Sequence, residues 1–314
     1  MLPHYISVKE VSKRFSSGKA SQVEALQNIS IDVSQGELFG LIGPDGAGKS
    51  TLFRILATLM LPDKGSATIA GLDIIKDFKT LRNMVGYMPG RFSLYQDLSV
   101  EENINFFATL FNTSVEENYD FIKDIYSYIE PFKKRRAGNL SGGMKQKLAL
   151  SCALIHKPQV LFLDEPTTGV DPVSRKEFWD MLQKLKNDGI TIIASTPYMD
   201  EARLCDRICL IQKGKIMECD IPERIRKNFR WDLRAVSASN MFHLLGDLRK
   251  YSHCESCYSF GEYQHISLLP NSSDEDLFLY LQKAGHQNIE IHKLEPSIED
   301  CFMDLVRKGE NNES

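Results

Sequence analysis

Apolar and polar positions change period several times along this chain. Val160-Leu161-Phe162-Leu163 and Ile190-Thr191-Ile192-Ile193-Ala194-Ser195 are nearly unbroken apolar runs of strand length. They predict central parallel strands buried on two faces. Leu38-Phe39-Gly40-Leu41-Ile42 reads as another buried strand, and Val85-Gly86-Tyr87-Met88 as a shorter one ending at Pro89-Gly90. Ile6–Phe15 and Ala25–Val33 alternate instead, split by the polar Ser16–Ser21 turn, which predicts antiparallel strands. Ser66–Ala70 follows the Pro62-Asp63-Lys64-Gly65 turn as one more short strand. From Ser99 to Ala153 apolar residues recur three and four apart, predicting a helix from Val100, a second over Asn118–Tyr128 and a third through Cys152. Lys49–Met60 and Pro172–Asn187 read as helices beside the buried strands, which makes the architecture α/β with a helical insertion.

The pattern shifts near Asp220-Ile221-Pro222. Trp231–Val236, Met241–Tyr251, Cys257–Gln264, Ile266–Leu269, Asp274–Ala284, Asn288–Leu294 and Ile298–Lys308 then read as strand, helix, two strands, helix, strand, helix. That order predicts a small α+β ferredoxin-like sandwich. The expected organisation is a large domain over residues 1–229 and an accessory domain over 230–314, with the polar tail Gly309–Ser314 frayed.

Composition acts mainly by exclusion. The 314 residues carry a net charge of −4, without the basic footprint of a nucleic-acid binder. No apolar run has the length of a membrane span, and the start Met1-Leu2-Pro3-His4-Tyr5 has no secretion-signal pattern. Seven scattered cysteines fit a reducing compartment. His253-Cys254-Glu255-Ser256-Cys257 offers half of a zinc site, but no second pair stands at the usual spacing, so reduced thiols are expected.

The densest chemistry is in Gly43-Pro44-Asp45-Gly46-Ala47-Gly48-Lys49-Ser50-Thr51, which satisfies the phosphate-loop pattern between a strand and a helix. Its glycines let successive backbone N–H groups turn toward phosphate oxygens, and the helix dipole favours the anion. Lys49 reaches the β and γ phosphates, and the Ser50 hydroxyl ligates Mg²⁺. Val160-Leu161-Phe162-Leu163-Asp164-Glu165 ends an apolar strand in two carboxylates. Asp164 is placed to hold Mg²⁺, and Glu165 to orient or deprotonate an attacking water. Leu140-Ser141-Gly142-Gly143-Met144-Lys145-Gln146 opens a helix, itself an anion-binding arrangement or an ordinary cap. Pro166-Thr167-Thr168-Gly169-Val170-Asp171-Pro172 forms a turn after Glu165.

These motifs together resemble the ATP-binding subunits of ABC transporters over roughly the first 230 residues. The LSGG helix start combined with LFLDEP carries the likeness. GPDGAGKST and YMDEA are most similar to the ATPases of ABC-2-type exporters of the multidrug or daunorubicin-resistance kind, as is the segment Leu294–Phe302. The resemblance implies a P-loop fold of ABC type, with a mixed sheet core, an antiparallel β subdomain and a helical subdomain. It implies ATP and Mg²⁺ as ligands and a cytoplasmic location on the inner face of the cell membrane. It implies a composite site, in which the phosphate loop of one subunit faces Ser141, Gly142 and Gly143 of another, with Asp171 nearby. Integral membrane permease subunits would read the closure of that dimer. Phe15 matches the aromatic that stacks on adenine, although a strand-end core residue is an alternative. Arg91–Asn105, with Phe92, Leu94, Tyr95 and Leu98, is the expected permease contact, or these side chains pack on themselves.

Two positions depart from the family pattern. Gly90 stands where the family has a Gln that touches Mg²⁺ and water, and Pro197 where it has a switch His. Neither supplies a hydrogen-bond donor, and Pro197 lacks even its own N–H. Each missing donor costs about 2.7–4 kcal/mol of barrier. The expectation is a slow site on this chain, whose Ser141 helix completes the site of a second ABC ATPase, so that a heterodimer is favoured over a homodimer. Tolerated drift with Glu165 sufficing, a regulatory ATP-binding subunit and a non-transport ABC protein are the alternatives.

Overall fold

The computed structural model describes residues 4–17 and 21–313. The middle of the expected Ser16–Ser21 turn and the Met1–Pro3 start lie outside them. The chain packs as two compact units, divided between Pro222 and Glu223.

In the first unit, β1 (Ile6–Ser17) and β2 (Ser21–Val33) pair antiparallel, Ile6 opposite Val33. β3 (Leu38–Ile42) enters the core and leads into α1 (Lys49–Leu56). β4 (Lys64–Ile69) and β5 (Leu72–Asp73) complete an antiparallel sheet of order β2-β1-β4-β5. α2 (Phe78–Met84) leads into β6 (Val85–Met88). The helical insertion is α3 (Val100–Leu110), α4 (Val115–Tyr126) and α5 (Gly142–Leu154). β7 (Val160–Asp164), α6 (Pro172–Asn187), β8 (Thr191–Thr196), β9 (Arg207–Gln212) and β10 (Lys215–Asp220) finish the unit. Its mixed sheet runs β10-β9-β3-β8-β7-β6, with only β10 antiparallel to its neighbour.

The runs read as buried strands are buried at every residue in β3, β7 and β8. Phe53 of α1 lies against Phe162 of β7, ring centroids 5.7 Å apart. Burying each such ring contributes about 1.5–3 kcal/mol. Helix ends differ from the expected ones for local reasons. α1 stops at Leu56 rather than Met60, because Thr58 turns to φ 60° and the Leu59 and Met60 amides bond back to the Arg54 carbonyl. α4 begins at Val115 rather than Asn118, because Ser114 and Glu117 form a reciprocal capping box.

The reading of a reducing compartment did not foresee a pairing of Cys209 with Cys219. The β9–β10 ladder places them directly opposite, Cα atoms 4.1 Å apart, and they are joined as a disulfide. Strand register, invisible in cysteine spacing, brings them together.

The second unit opens with α7 (Pro222–Lys227), then β11 (Asp232–Ser237), α8 (Met241–Leu248), β12 (Cys254–Phe260), β13 (Tyr263–Leu268), α9 (Asp274–Lys283), β14 (Glu290–Lys293) and α10 (Ile298–Glu313). Sheet order β12-β13-β11-β14 with all pairs antiparallel is the predicted ferredoxin-like arrangement. The hairpin break expected at His265 falls instead at Gly261-Glu262, where Gly261 takes φ 56°. The tail expected to fray continues α10 to Glu313. Cys254 and Cys257 join no metal-binding cluster among the described residues. Burial pushes their thiols up to about 11 and about 12.

His265 Nδ1 lies 2.8 Å from Asp300 Oδ1, and Asp300 also accepts from the Ser297 amide and hydroxyl. Burial pushes the Asp300 carboxyl up, but the bonds from His265 and Ser297 outweigh it and hold the group below its ordinary 3.8. A depressed carboxylate stabilises the fold above its unfolded value, and that stability is lost as pH falls through the folded value. Acid should therefore weaken this unit from about pH 4 downward, and Asp300→Asn should flatten that dependence. Fluorescence of Trp231, whose Nε1 donates to Asp304 at 3.0 Å, reports it in a Trp179→Phe background.

Candidate functional site

The phosphate loop joins the end of β3 to the start of α1. Gly46 and Gly48 sit at φ 77° and 106°. A Cβ on Gly48 would meet the Ala25 carbonyl oxygen at 2.4 Å, and one on Gly43 the Ile211 carbonyl oxygen at 2.0 Å. Both glycines are therefore required by close backbone approach. Ala47 N donates to the Pro44 carbonyl at 3.2 Å, and the Ala47 carbonyl accepts from Gly214 N at 3.0 Å. Pro44, Asp45 and Gly46 are exposed, while Ser50 and Thr51 are half-buried in the first helical turn. α1 has no side-chain cap and no acidic residue in that turn, so its first amides and positive end remain for an anion.

Lys49 is 3% exposed. Its Nζ donates to the Gly43 carbonyl at 2.7 Å and the Pro44 carbonyl at 3.0 Å, and lies 3.1 Å from Glu165 Oε1. The same ammonium thus braces the loop and holds the carboxylate read as the base.

Asp164 is buried at the end of β7, where its Oδ1 accepts from Ser195 Oγ at 2.8 Å. Ser195 Oγ in turn accepts from Glu165 N at 3.0 Å. Glu165 takes φ 50°, which turns the chain off the strand toward Lys49. Such a conformation in a non-glycine residue costs about 1–3 kcal/mol, held here by the surrounding bonds. The carboxylate of Asp164 and the hydroxyl of Ser50 are hard oxygen donors of the kind a magnesium ion would take, a cation that keeps waters and phosphate oxygens for the rest of its shell.

A Cβ on Gly90 would lie 3.0 Å from the Asp164 carbonyl oxygen and 3.7 Å from its Cγ. Position 90 thus faces the carboxylate end of β7 without a group to offer. Pro197 follows the last residue of β8.

Ser141 caps α5, its Oγ accepting from Met144 N at 3.3 Å. Ser141 and Gly142 are exposed. A Cβ on Gly143 would meet Ser174 Oγ at 2.8 Å, and one on Gly142 the Gly169 carbonyl oxygen at 3.3 Å. The helix start therefore leans on the turn that follows Glu165. Asp171, expected beside nucleotide, caps α6 by accepting from Ser174 N at 3.0 Å, and these bonds hold its carboxyl below the ordinary range. Phe15 is 39% exposed beside Lys13 Nζ, 5.8 Å from the ring centroid, which favours a stacking surface over a core position. Sequence reading missed Ser195, which links Asp164 to Glu165, and Thr167, Thr196 and Glu201, whose bonds join separate loops. A serine in a run read as buried strand was the available signal.

The ABC transporter family profile matches residues 26–168. Nod factor export ATP-binding protein I of Rhizobium sp. (strain N33) is 34% identical over 293 residues, covering 90% of this chain and 91% of that protein. The chain belongs to the ABC-transporter ATP-binding family. The probable multidrug ABC transporter ATP-binding protein YbhF of Escherichia coli (strain K12) is 36% identical over 98% of this chain, which spans about half, 53%, of that relative. Among solved structures, the dimeric ATP-binding cassette MJ0796 in a post-hydrolysis state with ADP and phosphate superposes with a TM-score of 0.63 at 26% identity. That match covers 69% of this ABC chain and 98% of the cassette. Among the described residues, no helix of this ABC chain is long and apolar enough to cross a membrane.

Lys49→Met should weaken MgATP binding about ten- to a hundredfold, the worth of a charge-assisted bond, and lower the melting temperature of the ligand-free chain. Titration with a fluorescent ATP analogue and thermal denaturation measure the two effects.

Proposed function

We propose that this chain binds and hydrolyses ATP to power a membrane exporter of the ABC-2 type, as the degenerate-site half of an asymmetric ATPase pair. The observation that carries the ATPase reading is Glu165 held 3.1 Å from Lys49 and directly after Asp164 at the mouth of the phosphate loop. Lys49 and the Gly46–Ser50 amides hold the phosphates. Ser50 and Asp164 hold Mg²⁺, which neutralises charge on the transferred phosphoryl group. Lys49, drawn onto phosphate, releases Glu165 to accept a proton from the attacking water. The exposed Ser141–Gly143 helix start donates a hydroxyl, amides and a helix dipole to nucleotide bound on a partner. Phe15 stacks on adenine.

Gly90 and Pro197 support the asymmetric reading, because each removes a donor the reaction uses. A partner ATPase with the missing Gln and His would turn over quickly against this chain's Ser141 corner. The membrane side is supported by a cavity of about 550 Å³ lined by Met88, Ser93, Leu94, Phe107, Leu110 and His156 among others. Tyr95 and Leu110 expose about half of their surface or more beside it. We place permease subunits there, with the chain peripheral on the inner face of the cell membrane. Relatives named for multidrug and Nod factor export support outward transport.

Gly90 and Pro197 also favour a second reading, a regulatory ATP-binding subunit with little hydrolysis. Steady-state ATPase measurement decides between the readings. The purified chain alone should turn over slowly and lose that activity in Glu165→Gln. The Gly90→Gln/Pro197→His double variant should gain at least about tenfold, less than the product of two donor contributions. Fast Glu165-dependent turnover of the unaltered chain alone would overturn the asymmetric pair. No turnover in the double variant, or with any partner ATPase, would leave the regulatory reading standing.

A further inference from the structure

Glu201 lies in the short 3₁₀ helix Met199–Leu204, four residues after Pro197, and is 1% exposed. Its Oε1 accepts from Thr167 Oγ1 at 2.8 Å, and its Oε2 from Thr196 Oγ1 at 2.5 Å. Arg175 Nε stands 3.7 Å from Oε1, with its guanidinium over the Tyr198 ring at 4.2 Å. A buried carboxylate is costly unless it is paired and hydrogen-bonded. Here its partners come from three segments: the turn after Glu165, the last residue of β8 and the first turn of α6.

Those segments hold the two working parts of the site. Thr167 is two residues past Glu165, and Thr168 N bonds to the Glu165 carbonyl at 3.2 Å. Val170 N closes the turn on the Thr167 carbonyl at 3.2 Å. The same turn meets the Ser141 helix start through Gly169 and Ser174. With Pro197 offering no donor, the Thr196–Glu201–Thr167 bridge ties the end of β8 to this turn.

We propose that Glu201 is a positioning residue for hydrolysis. Through Thr167 it fixes the Glu165 carboxylate, and through the Gly169–Ser174 backbone it fixes the Ser141–Gly143 start presented to a partner. The inference rests on the reading of Glu165 as the base. Gln at 201 preserves shape and can still bond both threonines, but it carries no charge, so those bonds lose their charge assistance and the Arg175 guanidinium loses its ionic partner.

The test uses the purified chain in excess over radiolabelled MgATP, in a single turnover. Affinity for a fluorescent ATP analogue, melting temperature and amide hydrogen exchange over residues 166–171 are measured alongside. Glu201→Gln should slow hydrolysis about ten- to a hundredfold, the scale of a misplaced reacting group. Nucleotide affinity should stay within about twofold, the scale of a lost positioning contact that leaves ground-state binding intact. Exchange at the Thr168–Val170 amides should rise. Thr167→Val should reproduce these effects and add little to Glu201→Gln, because both weaken one bridge. Unchanged hydrolysis with unchanged exchange would overturn the proposal. So would a loss of affinity and melting temperature that matches the loss of rate. If Glu165→Gln leaves hydrolysis intact, the base reading fails instead, and the exchange data alone decide whether Glu201 holds the turn.

Discussion

The register of three parallel strands decides where Lys49, Asp164, Glu165 and Pro197 sit. Ile42 of β3 pairs with Thr196 of β8, and Ser195 of β8 pairs with Asp164 of β7. Three strand ends therefore stop on one line, and the loops leaving them meet. The phosphate loop leaves β3, the carboxylate pair ends β7, and the Pro197 segment leaves β8. Open α/β sheets place ligands at such carboxyl ends because the helix amides and the loop backbones converge there. A slip of one residue between β7 and β8 would break the Ser195 bridge and turn the side chains of the slipped strand to the opposite face of the sheet.

What was legible in the sequence is what is locally encoded. The phosphate loop, the apolar runs of β3, β7 and β8 and the full extent of α6 depend on neighbours within a few residues. α6 begins at Pro172 after the Asp171 cap and ends before Gly189, a start and stop readable from composition. The start of α4 was misplaced although Ser114-Val115-Glu116-Glu117 repeats the capping string of Ser99-Val100-Glu101-Glu102. The Cys209–Cys219 pairing, the Ser195 bridge and the Glu201 network were not legible. Their partners are 10, 31 and 34 positions away in the chain, brought together by strand pairing and loop packing. The break between β12 and β13 was missed although Gly261-Glu262 interrupts the apolar positions between Phe260 and Tyr263, and Gly261 takes the positive φ of the turn.

The site also shows a division of exposure. Lys49, Asp164 and Glu201 are buried, each held by hydrogen bonds of its own, while Pro44–Gly46, Ser141 and Gly142 face solvent. Groups that must hold a fixed geometry are shielded, where hydrogen bonds and charges act through low dielectric. The loop tip and the start of α5, read as meeting phosphate and another subunit, are left open. Gly90 is exposed against the Asp164 end of β7, and Pro197 directly follows β8, so both stand between the two sets.

The carboxylate of Asp171 is already engaged by the α6 backbone, and caps of this kind stabilise a helix by about 1 kcal/mol. If a neighbouring subunit also uses that exposed corner, one side chain serves both the integrity of α6 and assembly. Random mutagenesis scored by activity of the assembly would then rank position 171 among the most sensitive while hiding which duty had failed. An amide at that position separates the duties, since it can still cap but carries no charge.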